Sequence, residues 1–98
     1  MIKVNKYKGY LKYSLFLHNY EYAFIKWLPK GKTNIHSHNE KLCTMNIIKG
    51  PLREYRYNHN KEINILNSLN QYYIDDTLGC HKIENPCPTT KWSFHVYR

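Results

Sequence analysis

The stretch NIHSHNEKLCTMNIIKG, Asn34 to Gly50, joins two chemical signals to one structural signal. His36 and His38 are spaced i, i+2, and Cys43 follows five residues after His38. The apolar run Leu42 to Lys49 then stops at Gly50-Pro51. A short run of this kind, rich in β-branched residues and closed by glycine and proline, reads as a strand. Successive side chains of an extended strand alternate between its faces. His36 and His38 therefore project together, about 7 Å apart, with Ser37 on the other side. Two such imidazoles can chelate one divalent metal through neutral nitrogens. The dipeptide taken alone favours a plainer reading, a surface pair on a polar strand face.

The rest of the chain repeats the strand pattern. Tyr10 to His18 and Tyr20 to Leu28 flank a turn-like Asn19, and Pro29-Lys30-Gly31-Lys32 makes a second turn. Leu52 to Asn58, Glu62 to Leu66, Gln71 to Ile74, His81 to Asn85 and Lys91 to Tyr97 follow. Each is short, rich in Tyr, Ile, Phe or Val, and bounded by Gly, Pro, Asn or Asp. That is the signature of an all-β antiparallel sandwich or barrel. No stretch sustains a 3.6-residue period, although Lys61 to Asn70 has room for a helical turn. Asp75 and Asp76 read as turn formers.

With 98 residues, a single domain spanning 1–98 is expected, with a modest core. The first twenty residues lack a signal-peptide pattern, and no run nears the roughly 18 apolar residues of a membrane span. The expectation is a soluble cytoplasmic protein without a membrane partner. The odd, sparse cysteines Cys43, Cys80 and Cys87 then read as thiols or ligands, not a disulfide framework. The net charge of +8 comes from scattered lysines and arginines, so it reads as a solvated basic surface before a nucleic-acid footprint. It also suits anionic small molecules. Ser93, His95 and Tyr97 share one face of the last strand, where a hydrogen-bonded row ending at the Tyr97 hydroxyl can form. Trp27 and Trp92 read as core or rim packing, and His18 and His59 as surface residues.

The order of these elements resembles the cupin layout: a Pro-x-Gly turn, His-x-His, an apolar strand ending in glycine, and a later third histidine. The cupin pattern places a glutamate four or five residues after His-x-His, where this chain has Leu42 and Cys43. Glu40 lies too close and reads as a solvent-facing charge. That departure is shared by one branch. Trp27-Leu-Pro-Lys-Gly31, Ile35-His-Ser-His38, Cys43 and Gly50-Pro-Leu-Arg-Glu54 together resemble the metal-binding segment of cysteine dioxygenase. Tyr73 to Asn85 resembles that family's third-histidine segment, and Ser93-Phe-His95-Val-Tyr97 its Ser-x-His-x-Tyr strand. The resemblance runs from about Tyr10 to Tyr97.

It implies a small cupin-type antiparallel β-barrel or jelly roll in which His36, His38 and His81 bind Fe(II). The implied activity joins dioxygen to the sulfur of free L-cysteine, giving cysteine sulfinic acid. Three neutral ligands leave the full charge of the iron uncompensated, which suits a substrate that brings its own thiolate. Tyr97 would face the substrate, with His95 and Ser93 behind it, and Cys43 would be tied to the Tyr97 ring by a thioether. From residue chemistry alone, Cys43 reads first as a small buried core thiol, and Tyr97 in register with it favours the tether. The family's carboxylate-binding Tyr-x-Arg finds its best match in Tyr10-Leu11-Lys12. Lysine offers a point charge where arginine offers a fork, so Lys12 is either a carboxylate anchor or a solvated lysine, and the preferred thiol stays open. Strand alternation turns Cys80 away from the metal, Cys87 sits in a loop, and no second ligand pair supports a zinc site. A degenerate cupin that binds metal or ligand without turnover is the rival reading. Monomer and homodimer both stay open, since an uncovered barrel edge can pair.

Overall fold

A computed structural model describes residues 2–36, 42–57, 61–74 and 80–98. The described elements are strands: β1 (Ile2–Lys6), β2 (Tyr10–Leu17), β3 (Tyr20–Trp27), β4 (Cys43–Lys49), β5 (Leu52–Tyr57), β6 (Lys61–Leu66), β7 (Gln71–Ile74), β8 (Cys80–Glu84) and β9 (Lys91–Tyr97). They form a six-stranded sheet in the order β1-β2-β3-β9-β4-β7 and a three-stranded sheet in the order β6-β5-β8. All pairings within the sheets are antiparallel.

Alternation decides what each strand gives the core. Along β3, Ala23, Ile25 and Trp27 turn inward while Phe24 remains exposed. From β4, Cys43, Met45 and Ile47 join them, and β5, β6 and β8 contribute Leu52, Leu66 and Ile83. Tyr10, Tyr72 and Tyr97 pack against the edge of this cluster. Because the inner face of β9 carries Ser93 and His95 in place of aliphatic residues, both buried, polar chemistry is built into the wall of the core.

The turn at Leu28 to Gly31 closes with a hydrogen bond from Gly31 N–H to the Leu28 carbonyl. Its positive φ of 61° falls on Lys30, not on the glycine. Gly31 is required for another reason: its Cα face lies against the backbone of Gly9, and a Cβ there would run into the Gly9 carbonyl. The β2–β3 hairpin turns through His18 and Asn19, both with positive φ, and Leu17 pairs with Tyr20. This two-residue connection matches the right-handed twist of the flanking strands.

Two details depart from the sequence expectation. Lys61 to Leu66 is fully extended, with no helical turn, because pairing with β5 from Tyr57↔Lys61 to Leu52↔Leu66 carries Leu66 into the core. The N-terminal residues also form a strand, β1, whose register with β2 runs from Ile2↔Leu15 to Lys6↔Leu11. Among the described residues, no helix is long and apolar enough to cross a membrane.

Replacing Gly31 with Ala forces the two backbones apart and should cost about 2 kcal/mol or more of stability. Urea unfolding of the variant checks this, with a lowered midpoint at unchanged slope as the expected result.

Candidate metal centre

Residues 32–36 run beside β8 as an irregular edge. Lys32 pairs with Glu84, and His36 pairs with His81 in an antiparallel bridge closed by two 2.9 Å backbone hydrogen bonds. The Thr33 hydroxyl adds a bond from Ile83 N–H at 3.0 Å. The bridge sets two residues from distant parts of the chain directly opposite each other. Their imidazoles meet edge to face, with ring centroids 4.7 Å apart and planes at 61°.

Hydrogen bonding fixes how each ring is presented. His36 Nδ1 lies 2.8 Å from the Asn34 carbonyl, which only accepts, so Nδ1 carries the proton. His81 Nδ1 lies 2.9 Å from a Glu54 carboxylate oxygen, which imposes the same tautomer. In the neutral form both rings then carry their acceptor lone pair on Nε2, the arrangement found behind metal-ligating histidines. His36 is held below the ordinary histidine pKa chiefly by burial. The Asn34 carbonyl opposes this, and the nearby His81 and Lys12 add to it. Two imidazoles sharing one ion through Nε2 bonds of about 2.1 Å have centroids roughly 4.5–5 Å apart. The separation observed lies in that range. The pair therefore fits a divalent metal, with neutral nitrogen donors suited to iron, copper or zinc. Among the described residues, no three His, Cys, Asp or Glu side chains cluster to hold an ion. His36 and His81 supply two donors, and His38 lies outside the described residues, as do Glu40, His59, Asp75 and Asp76.

Glu54 escaped the sequence reading. It is 1% exposed and shares the inward parity of Leu52 on β5. Arg56 donates to its two oxygens at 3.1 and 3.4 Å, and Asn64 donates at 3.1 Å. Burial pushes its carboxyl up, but the His81 hydrogen bond, the Arg56 charge and the Asn64 bond outweigh this. The net shift is downward, so Glu54 is ionised. The available signal was alternation, which puts Leu52 and Glu54 on one face.

A cavity of about 350 Å³ opens beside the histidine pair, with Tyr10, Lys12, His36, His81, His95 and Tyr97 among its lining residues. Lys12 is not a solvated lysine: its side chain is 17% exposed, and its ammonium lies 3.0 Å from Glu21 and 4.5 Å from the centre of the Tyr97 ring. The Ser14 hydroxyl donates to the same Glu21 oxygen at 2.8 Å. Tyr10 stacks between Tyr7 and Trp27, at centroid distances of 4.5 and 5.1 Å.

Ser93, His95 and Tyr97 do share one side of β9, as the alternation predicts, with Ser93 and His95 both buried. Trp27 is more than packing, because its indole donates to Ser93 Oγ at 2.8 Å. Ser93 Oγ also lies 2.7 Å from His95 Nε2, and His95 Nδ1 lies 3.9 Å from Cys43 Sγ. The His95 ring thus sits between Ser93 and Cys43, and the Tyr97 ring stacks beside it at 6.0 Å. Cys43 and Tyr97 are cross-strand partners whose side chains hydrogen bond. Burial pushes the Cys43 thiol up to about 12 and the Tyr97 hydroxyl well above its ordinary value, so both are protonated at neutral pH. On the far side of β8, Cys80 is exposed while His81 is buried, and Cys87 lies in the loop after Asn85.

No family model matches the sequence. Solved structures do match. AerE from Microcystis aeruginosa superposes with a TM-score of 0.86 at 18% identity, over 100% of this chain and 46% of that one. An RmlC-like cupin from Shewanella frigidimarina gives 0.77 at 14% identity, over 99% and 83%. A mutant of Bacillus subtilis oxalate decarboxylase gives 0.81 at 13% identity, over 98% of this chain and 27% of the enzyme. The chain has the cupin fold. It spans less than half of AerE and about a quarter of the decarboxylase, and identities this low carry the fold alone. The structures that share this cupin fold include enzymes and domains described only as cupins.

The raised Cys43 pKa fixes the sign of a pH effect. The unfolded thiol ionises near 9.0 and the folded one near 12, so stability is full below pH 9 and is lost as pH rises toward 12. Tyr10 and Tyr97 act in the same direction. Urea titrations across that window should show a shallower decline for Cys43→Ala than for the unmodified chain. Parallel declines would contradict the burial of the thiol.

Proposed function

We propose that the chain is an iron-dependent thiol dioxygenase acting on free L-cysteine and yielding cysteine sulfinic acid. The observation that carries this reading is the meeting, around one small cavity, of the His36–His81 pair, the Lys12 ammonium and the Tyr97 side chain with Cys43 behind it. His36, His38 and His81 would hold Fe(II). Bound iron supplies the thiolate-binding and dioxygen-activating chemistry. In the overall reaction one thiol and one dioxygen give one sulfinic acid. Sulfur loses four electrons, dioxygen accepts them, and both oxygen atoms end on sulfur.

The chain's own residues bind and orient. Lys12 has three N–H donors; Glu21 takes one and pins the ammonium, and the others serve a substrate carboxylate. Tyr97, protonated at working pH, is hydrogen bonded to Cys43 until the thioether forms, which would free its hydroxyl to donate toward the substrate. Trp27, Ser93 and His95 hold the wall behind it in one orientation. A thioether between Cys43 Sγ and the Tyr97 ring belongs to the same reading. Its formation removes the thiol hydrogen and one ring hydrogen, and dioxygen takes the two electrons. A cavity of this volume sits at the small end of ligand pockets, in keeping with an amino-acid-sized substrate.

The test is turnover. Protein loaded anaerobically with Fe(II) is given L-cysteine and then air, with oxygen uptake and product mass followed together. Sulfinate should form with the unmodified chain and not with His81→Ala. Lys12→Ala should raise KM for L-cysteine roughly tenfold or more, the scale of one lost charge-assisted hydrogen bond, and leave cysteamine, which has no carboxylate, little affected. Iron binding without oxidation of any thiol would leave a metal-binding cupin without turnover.

A further inference from the structure

The fold gives Glu54 no obvious structural reason to be charged. Its β8 partner Ile83 and the preceding residue on its face of β5, Leu52, belong to the apolar core, and its β6 partner is Asn64. Burying a carboxylate costs several kcal/mol unless it is fully hydrogen bonded, and replacing a buried ionic cluster by packed apolar residues is often neutral or stabilising. The chain instead surrounds Glu54 with three donors. Arg56 holds it from two positions along β5, Asn64 holds it from β6, and the remaining bond goes to His81 Nδ1. The strand register explains the reach: Glu54 pairs with Ile83 and Arg56 with His81, so the Glu54 carboxylate crosses diagonally to the His81 ring.

We propose that Glu54 is the positioning residue of the metal centre: anchored by Arg56 and Asn64, it locks the His81 ring and tautomer so that Nε2 faces the cavity. This rests on the reading of His81 as a metal ligand. His36 is held differently, by the neutral Asn34 carbonyl, so the two ligands are unequal donors. A carboxylate partner anchored by two further donors makes His81 the ligand whose orientation survives loss of the metal. Glu54 touches neither substrate nor metal, and it acts only through His81.

Two readouts test this. The first is the side-chain nitrogen NMR spectrum of the metal-free protein, which reports the tautomer of each histidine. His81 should be in the Nδ1–H form, and Glu54→Gln should convert it to a mixture or to the other tautomer, because the amide can donate to Nδ1. The second is anaerobic competition for Fe(II) or Co(II) against a chelator. Glu54→Gln should weaken binding roughly 10- to 100-fold, with Glu54→Asp intermediate. A variant that keeps its fold, tautomer and affinity overturns the proposal. If Glu54→Gln fails to fold, the wild-type spectrum decides alone, since a His81 proton on Nε2 overturns it equally. Failure of the wild-type chain to bind either metal would instead strike at the metal reading, while the tautomer measurement still judges the Glu54–His81 contact.

Discussion

The bridge between His36 and His81 is the contact on which the site depends. Its two backbone hydrogen bonds join the segment after the Pro29–Gly31 turn to β8, forty-five positions later, and they set the two imidazoles 4.7 Å apart. Neither residue reaches the other through local structure. The approach of β8 is fixed by its pairing with β5, and that of residues 32–36 by the turn, where Gly31 lies against Gly9. A shift of one residue in either pairing would turn His81 to the solvent side and bring Cys80 inward. Register, set by packing far from the histidines, is therefore what makes the pair.

Around that pair the charges are arranged economically. Lys12 faces the cavity but is tethered to Glu21, and Glu54 lies behind His81 with Arg56 against it. Lys12 and Glu54 each have an opposite partner, as low-dielectric surroundings require. The cavity lining includes imidazoles, tyrosines and one anchored ammonium among apolar side chains. Such a surface favours a small anionic ligand and does not itself neutralise a bound cation, leaving that to what enters the cavity.

Much of this was legible in the chain. Strand length and punctuation gave all-β, and alternation put Ser93 and His95 on the inner face of β9 and Cys80 on the outer face of β8. What escaped was mostly long-range. Nothing local in IKVNK marks Ile2–Lys6 as the edge strand it becomes by pairing with β2. In the Pro29–Lys32 turn the positive φ sits on Lys30, and Gly31 is required by the close approach of the Gly9 backbone, a contact that local sequence does not reveal. Glu54 lies in LREYRY, which carries charges on both faces, and only the fold brings His81 to it. Lys12 looked like a lone cation until the β2–β3 hairpin carried Glu21 back beside it.

The claim at the centre of this account is that His36 and His81 bind one metal ion together. X-ray absorption at the iron edge of the Fe(II)-loaded chain tests it most directly, because imidazole rings add outer-shell scattering that water and carboxylate do not. The account predicts scattering from at least two imidazoles, reduced by about one ring in His81→Ala. A spectrum without imidazole scattering, or one that His81→Ala leaves unchanged, would contradict it.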